Sequence, residues 1–228
     1  SFGFSHWPEG RGYAEFLARF FTPGKVEGHN LGRIAQNALY YHEGPVAPAP
    51  QETSRAVHRM PVPAGIRRTA PWTVCLSALY DVYTPNQFML ERQGNLSIYH
   101  DRLGLIITGA GSKHQPELAT IMEKDRDVVT TVPISGRLRM SDELDRLGMS
   151  YRTFFVELHV PRPEPERVAF QFKVTEVGPN RMGEADLNLQ LVLRAGETLE
   201  TARAKITLGK DKVELGPDQI GGWIRHGG

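Results

Sequence analysis

Five side chains near the amino terminus carry groups that are common in enzyme active sites. The segment SHWPEGRGYAEF, residues 5–16, contains an imidazole, an indole, a carboxylate, a guanidinium and a phenol, on His6, Trp7, Glu9, Arg11 and Tyr13. Pro8 fixes its own φ and disfavours a helical backbone at Trp7, so the approach to Glu9 is stiff. Gly10 and Gly12 lack Cβ and let the backbone lie close to a ligand. Convergent polar groups beside exposed backbone predict a ligand site.

An amphipathic helix is predicted to follow these glycines. Tyr13, Phe16, Leu17 and Phe20 recur at i, i+3, i+4 and i+7 and form one apolar face, which is expected to lie in the core. The polar cluster then lies at a helix N-terminus, where free N–H groups and the helix dipole favour an anion. A simpler interpretation stays open, in which Glu9 complements the dipole and His6 is a surface residue.

Residues 1–44 are predicted to form a helical hairpin. Its second helix is indicated by helical spacing of apolar residues, with an N-cap at Asn30 and a stop at Gly44-Pro45; the spaced residues are Leu31, Ile34, Ala35, Ala38 and Tyr41. Residues 45–71 are rich in proline and show no sustained period, which predicts a linker or an extended crossing loop.

From residue 72 the apolar period changes to two. Trp72, Val74, Leu76, Ala78, Tyr80 and Val82 alternate with more polar residues, and this predicts a half-buried strand with Cys75 on its more polar face. Further strands are predicted over 88–92, 96–100, 105–108, 151–160, 167–177, 184–193, 204–208 and 213–215, and a helical turn or loop over 141–147. Strands without intervening helices predict a mainly β chain, in which a short N-terminal α-helical hairpin precedes a large antiparallel β-sandwich over residues 72–228.

The charge balance and the length of the apolar runs argue against two classes of binding partner, nucleic acids and membranes. The chain has 228 residues with 27 basic and 26 acidic side chains, a formal net charge of +1, so no global field attracts nucleic acid. Two short clusters of basic residues occur, at Arg67-Arg68 and Lys210–Lys212. Charged side chains in solvated loops explain both clusters better than a phosphate-binding surface does. Apolar runs such as 105–107 are too short to span a bilayer. We therefore expect neither a nucleic-acid nor a membrane partner.

The number and spacing of the cysteine and histidine residues do not predict a metal site. Cys75 is the only cysteine, which excludes an intrachain disulfide and a thiolate cluster within this chain. His100, Asp101 and His114 lie in different turns without ligand spacing and are expected to be surface groups. The first and last residues both resemble interrupted elements, so we expect a piece of a longer protein.

Two segments resemble one enzyme family. The phrase HWPEGRGY is similar to the W-x-E-G-x-x-Y phrase in the helical toroid domains of polysaccharide lyases, especially the heparinase II/III-like family. The stretch GNLSIYHDRLGLIITGAGSKHQPELAT resembles part of the β-sandwich of heparinase-like proteins. The family order of helices followed by a large sandwich also matches the order predicted here.

The resemblance implies a fragment of a lyase that cleaves uronic-acid-containing glycans by β-elimination. His6 and Glu9 match the H-x-x-E pair of the family, which implies proton transfer or carboxylate neutralisation for His6 and substrate positioning for Glu9. Tyr40 or Tyr41 is a candidate acid by residue type. Arg11 is suggested by its chemistry as a partner for a carboxylate or sulfate, and Trp7 and Tyr13 as further substrate-binding residues.

The family setting adds expectations about partners and location. It implies an acidic polysaccharide and the remainder of the parent enzyme as partners, and a secreted or periplasmic bacterial location. The H-x-H-x-D zinc phrase of the family is absent, so no cofactor is expected and a structural metal is unsupported. The alternative is a non-catalytic carbohydrate-binding or scaffolding sandwich, in which Trp72 and Trp223 offer rings for sugar stacking.

Overall fold

The chain is mainly β, with 49% strand and 12% helix, and its strands pair in antiparallel sheets. The computed structural model describes residues 5–19, 35, 38–49, 52–78, 94–108, 119–125, 128–177, 184–209, 217–220 and 224–227. Within these ranges no helix is long and apolar enough to cross a membrane.

The described elements are two helices and sixteen strands. Helix α1 spans Pro8–Ala18 and the short helix α2 spans Pro217–Ile220. The first eight strands are β1 (Arg55–Arg59), β2 (Ala64–Thr69), β3 (Trp72–Ser77), β4 (Leu96–His100), β5 (Gly104–Thr108), β6 (Ile121–Asp125), β7 (Val128–Thr130) and β8 (Ser135–Met140). The remaining strands are β9 (Leu144–Ser150), β10 (Phe154–Pro161), β11 (Gln171–Glu176), β12 (Glu184–Leu187), β13 (Gln190–Leu191), β14 (Thr198–Thr201), β15 (Lys205–Thr207) and β16 (Ile224–Gly227).

These strands form four sheets. A six-stranded sheet has the order β1-β2-β3-β4-β5-β13, and a four-stranded sheet has the order β11-β10-β9-β8. Two three-stranded sheets have the orders β12-β6-β7 and β15-β14-β16. Most neighbours in the two larger sheets are consecutive in sequence, which is typical of strands joined by short hairpin turns.

Strand β3 alternates as the sequence predicts. Trp72, Val74 and Leu76 are buried, and the residues between them are half-buried. Cys75 lies on the more polar face, and burial raises the pKa of its thiol. The predictions for β3, β4, β5 and β10 are confirmed, because one face of each strand is covered by the core.

The two larger sheets share one hydrophobic core. The six-stranded sheet contributes Trp72, Val74, Leu76, Ala78, Leu96, Ile98 and Ile107, and the four-stranded sheet and its turn contribute Leu138, Leu147, Met149, Tyr151, Phe154, Val156, Leu158 and Val160. Ile121 of β6 joins the same cluster. Alternate residues of these strands therefore point toward a common interior.

A buried ion pair crosses from one larger sheet to the other. Arg67 of β2 donates from Nε and Nη2 to the two carboxylate oxygens of Asp145 of β9, both at 2.6 Å. The exposed fractions of these side chains are 1% and 0%. Nη2 also donates to the carbonyl of Ser141, and the hydrogen bond that Arg67 donates to Asp145 raises the pKa of Arg67 against the opposing effect of burial.

A buried carboxylate connects the β12-β6-β7 sheet to the four-stranded sheet. Glu123 of β6 is 1% exposed and accepts hydrogen bonds from the backbone N–H groups of Arg152, at 3.2 Å, and Thr153, at 3.1 Å. Both residues lie in the turn between β9 and β10. Burial, together with the charge of Glu123, raises the pKa of Tyr151 in the same turn.

Two predicted boundaries differ from the structure. The prediction of a linker or crossing loop over 45–71 is wrong for residues 55–59 and 64–69, which form β1 and β2. The prediction of a helical turn or loop over 141–147 is wrong from Leu144 onward, where β9 begins. In the predicted second helix, Ala35, Ala38 and Leu39 are helical, and most of its other positions lie outside the described residues.

Candidate functional site

The polar cluster lies at the beginning of α1. Trp7 is the N-cap residue, with φ −118° and ψ 146°, and Pro8 occupies the first helical turn, where its missing N–H costs nothing. Glu9 lies in the same turn and complements the helix dipole. The prediction that the helix starts after the glycines is wrong, because Gly10 and Gly12 are both inside it.

The glycine face of α1 is its buried face. Gly10, Arg11 and Gly12 are buried, whereas Tyr13 is half-buried and Leu17 is 47% exposed, so the expected aromatic core face is wrong for the described residues. A Cβ on Gly12 would lie 1.8 Å from the carbonyl oxygen of Ala47. Glycine is therefore required where residues 41–49, which have no regular secondary structure, cross the helix.

Arg11 holds this crossing together. Its side chain is 4% exposed, and it donates from Nε to the carbonyl of Pro45 at 2.7 Å and from Nη1 to the carbonyl of Ser5 at 2.5 Å. The backbone N–H of Ala47 also donates to the carbonyl of Pro8 at 3.0 Å. Because Arg11 is buried and bonded to the main chain, its placement argues against the expected contact with a ligand carboxylate or sulfate.

His6 meets a histidine that the sequence did not single out. The imidazoles of His6 and His42 are stacked, with ring centroids 5.1 Å apart and an interplanar angle of 26°. The backbone N–H of His42 donates to Ser5 Oγ at 3.0 Å, which fixes the two chain segments beside each other. His6 and His42 are both exposed, so the pair is open to a ligand.

The other predicted site residues are exposed to different degrees. Tyr41 precedes His42 directly and is 43% exposed, while Tyr40 is 63% exposed. Trp7 is 59% exposed and Glu9 is also exposed. Tyr13 is half-buried and stacks on Phe16 with ring centroids 6.5 Å apart. In the described residues, no hydrogen bond or ion pair joins His6 to Glu9 or Tyr41.

The structure also bears on the tryptophans that were expected to stack on sugar rings and on the residues considered as metal ligands. Trp72 is 9% exposed and its indole N–H donates to the carbonyl of Pro165 at 3.1 Å, so it offers no free face to a sugar ring. Trp223 and His114 lie outside the described residues. Among the residues that the structure describes, no group of three or more His, Cys, Asp or Glu side chains could hold a metal ion.

The arrangement offers two accessible, stacked imidazoles at the beginning of a helix that carries a carboxylate, and an exposed phenol adjacent to His42 in the chain. Imidazole and phenol groups exchange protons, and a neighbouring carboxylate hydrogen-bonds to hydroxyl groups. Proton transfer on a hydroxyl-rich substrate is the chemistry that these groups can support. No protein-family model, curated protein or solved structure matches the chain.

Proposed function

We propose that the chain is part of a polysaccharide lyase that cleaves uronic-acid-containing glycans by β-elimination. The observation that carries the proposal is the exposed imidazole stack of His6 and His42, with the exposed Tyr41 adjacent to His42 in the chain. The likeness of the His6–Tyr13 segment to heparinase II/III-like lyases supplies the reaction type. In this proposal the shared core of the two larger sheets belongs to one β-sandwich.

Each step of the elimination needs one group. A base removes the proton on C5 of the uronate, the C5–H electrons form the C4–C5 double bond, and the C4–O bond breaks. An acid then protonates the leaving oxygen. His6 is the proposed base, Tyr41 or Tyr40 the acid, and Glu9 the acceptor for sugar hydroxyls. His42 replaces Arg11 as the proposed partner of the substrate carboxylate, since Arg11 is buried.

The wider setting is also part of the proposal. The partners are an acidic polysaccharide and the rest of the parent enzyme, and the location is secreted or periplasmic. The reaction uses side chains alone and invokes no cofactor.

Replacement of His6 in the parent protein tests the catalytic assignment. His6→Ala should lower turnover on an acidic polysaccharide by at least roughly 10²-fold, the typical contribution of a proton-transfer group. The thermal midpoint should stay unchanged because His6 is exposed. The measurement is the ultraviolet absorbance of the unsaturated uronate product, together with thermal unfolding of each variant.

His58→Ala is the matched control, because His58 is an exposed histidine on β1. It should retain full activity and the same thermal midpoint. Equal turnover of His6→Ala and the unsubstituted protein would remove His6 from the mechanism. Absence of unsaturated product from the parent protein with a panel of uronate polysaccharides would overturn the lyase proposal itself.

A non-catalytic carbohydrate-binding module is the second candidate. Trp7 and Tyr40 favour it, because both are large aromatic side chains that are more than half exposed, and sugar rings stack on such rings. A protein that retains affinity for the polysaccharide but forms no unsaturated product would support this candidate over the lyase.

A further inference from the structure

The outer face of the four-stranded sheet carries a groove that none of the preceding chemistry uses. Its volume is about 310 Å³, at the low end of the range for small-ligand sites, and residues of β8, β9 and β10 line it. Three of these residues are the exposed arginines Arg137, Arg139 and Arg146. We call this feature the outer groove.

Two of the arginines are placed directly opposite each other. Arg139 of β8 and Arg146 of β9 are cross-strand partners in the antiparallel register, and Arg137 precedes Arg139 by two positions on the same face. Side chains at such a pair have Cβ atoms about 5 Å apart, and like charges there are destabilising. The facing Arg139–Arg146 pair is therefore slightly destabilising, and an anion held between the two guanidinium groups would relieve the repulsion.

Carboxylates of the described residues do not neutralise this pair. None of Arg137, Arg139 and Arg146 forms an ion pair within the part of the chain that the structure describes. The acids of the neighbouring β8–β9 turn have other partners: Asp142 pairs with Arg55 at 3.5 Å and Glu143 with Arg162 at 3.8 Å. Among the described lining residues, Glu157 offsets one of the three arginine charges, so the groove keeps a net positive charge that suits an anionic ligand.

A glycine and an aromatic ring shape the floor of the groove. Gly148 lies opposite both Arg137 and Glu157 in the register, and its missing side chain makes room for the ring of Phe155. A Cβ on Gly148 would lie 3.0 Å from Cζ of Phe155, which shows that the ring lies over the glycine. The half-buried Phe155 ring is an apolar surface beside the arginines.

We propose that the outer groove binds a phosphate monoester carried on a sugar ring. A phosphate monoester has a charge near −2 at neutral pH and three acceptor oxygens, so it can bridge Arg139 and Arg146. The sugar ring lies against Phe155, and Glu157 accepts hydrogen bonds from sugar hydroxyls. The inference is independent of the lyase proposal, because the two involve different residues.

The charge of the ligand distinguishes this class from other anions. A uronate, a sulfate ester and each phosphodiester of a nucleic acid carry a charge of only about −1, so each attracts the pair of guanidinium groups less strongly than a dianion does. Glu157 also disfavours a polyanion without hydroxyl donors, because its carboxylate lies in the groove. A dianionic group on a hydroxylated ring fits both observations.

Calorimetric titration of the full chain with three probes tests the proposal. Glucose 6-phosphate should bind roughly tenfold more tightly than glucose 6-sulfate, because its charge near −2 interacts more strongly with the two arginines than the −1 charge of the sulfate ester. It should also bind more tightly than inorganic phosphate, which has no ring to contact Phe155. Equal affinity for the two sugar esters, or no heat of binding with glucose 6-phosphate at millimolar concentration, would overturn the proposal.

Substitutions then assign the contacts. Arg139→Gln and Arg146→Gln should each weaken glucose 6-phosphate binding roughly tenfold, while the thermal midpoint stays equal or rises because like-charge repulsion is relieved. Lys173→Gln is the control: Lys173 is an exposed cation of β11 that pairs with Glu157 in the register but does not line the groove. It should leave affinity unchanged, and an equal loss with Lys173→Gln would reduce the effect to general electrostatics and overturn the assignment.

Phe155→Leu separates the ring contact from the phosphate contact. This variant should weaken binding of glucose 6-phosphate by several-fold and leave binding of inorganic phosphate unchanged. Unchanged affinity for glucose 6-phosphate would overturn the sugar-ring part of the proposal. Equal weakening of both probes would show that Phe155 only positions the arginines, and would overturn the same part.

Discussion

Gly12 permits the close approach of helix α1 to residues 41–49. Replacing a helical glycine with alanine usually stabilises a protein by about 0.5–1 kcal/mol, because alanine has the higher helix propensity. At Gly12 we expect the opposite sign, since a Cβ would lie 1.8 Å from the backbone carbonyl oxygen of Ala47. Gly12→Ala should cost about 1–3 kcal/mol or more in the free energy of unfolding, measured by chemical denaturation.

Ala14→Ser is the control for Gly12→Ala. Ala14 is exposed on the same helix, so an added side-chain atom meets solvent and the change should stay within about 0.5 kcal/mol. A stabilising Gly12→Ala would show that residues 41–49 do not pack on α1 in solution. The positions of Arg11 and of His42 would then lose their structural basis.

The chemistry of a residue could be predicted from its type, but its placement could not. Arg11 has the fork of donors that suits a carboxylate, yet here those donors hold the carbonyls of Ser5 and Pro45. His42 could not be predicted as a site residue, because it lies 36 positions from His6 and no local sequence pattern pairs the two. The two imidazoles stack because residues 41–49 cross α1 at Gly12. Local spacing predicts which groups are available, whereas packing between distant segments decides which of them meet.

At the scale of elements, the pair of Arg67 and Asp145 joins β2 to β9. Removing one member of a buried ion pair leaves an uncompensated buried charge and commonly costs about 3–5 kcal/mol. Arg67→Met should therefore destabilise the protein by about that amount, measured by chemical denaturation. The double variant Arg67→Met/Asp145→Leu should recover most of the loss, because it also removes the Asp145 carboxylate that Arg67→Met alone leaves buried without its partner.

Arg55→Met is the matched control for this pair. Arg55 pairs with Asp142 at 3.5 Å on the surface, where the side chains are 55% and 86% exposed, so its loss should cost at most about 1 kcal/mol. Equal effects of Arg55→Met and Arg67→Met would show that the β2–β9 pair is solvated in solution and does not connect the two sheets.

Strands with one apolar face could be predicted, and strands with buried or facing arginines could not. In β3 every second residue is apolar and buried, so the period of two is visible in the sequence. In β2 the buried positions include Arg67 and Arg68, which a hydrophobic pattern counts as exposed. In β8 and β9 the arginines of the outer groove interrupt the pattern of apolar residues. The apolar pattern therefore predicted neither these strands nor the groove.

At the scale of the whole molecule, the shared core predicts one cooperative unfolding transition for the two larger sheets. Leu76 lies in the six-stranded sheet and Leu158 in the four-stranded sheet, with exposed fractions of 1% and 0%, and both belong to the same buried cluster. Leu76→Ala and Leu158→Ala should each cost about 2–5 kcal/mol, the usual range for a buried leucine. Both should shift the same midpoint whether circular dichroism or intrinsic fluorescence is followed.

Val57→Ala provides the surface control, because Val57 is 47% exposed on β1 and its truncation should change stability by no more than about 0.5 kcal/mol.

Two separate transitions, with Leu76→Ala affecting one and Leu158→Ala the other, would show that the sheets unfold independently. In that case the cluster would be two cores in contact, and the proposal of a single β-sandwich would fail. A single shifted transition would support it, because cavities on opposite sides of one core weaken the same cooperative unit.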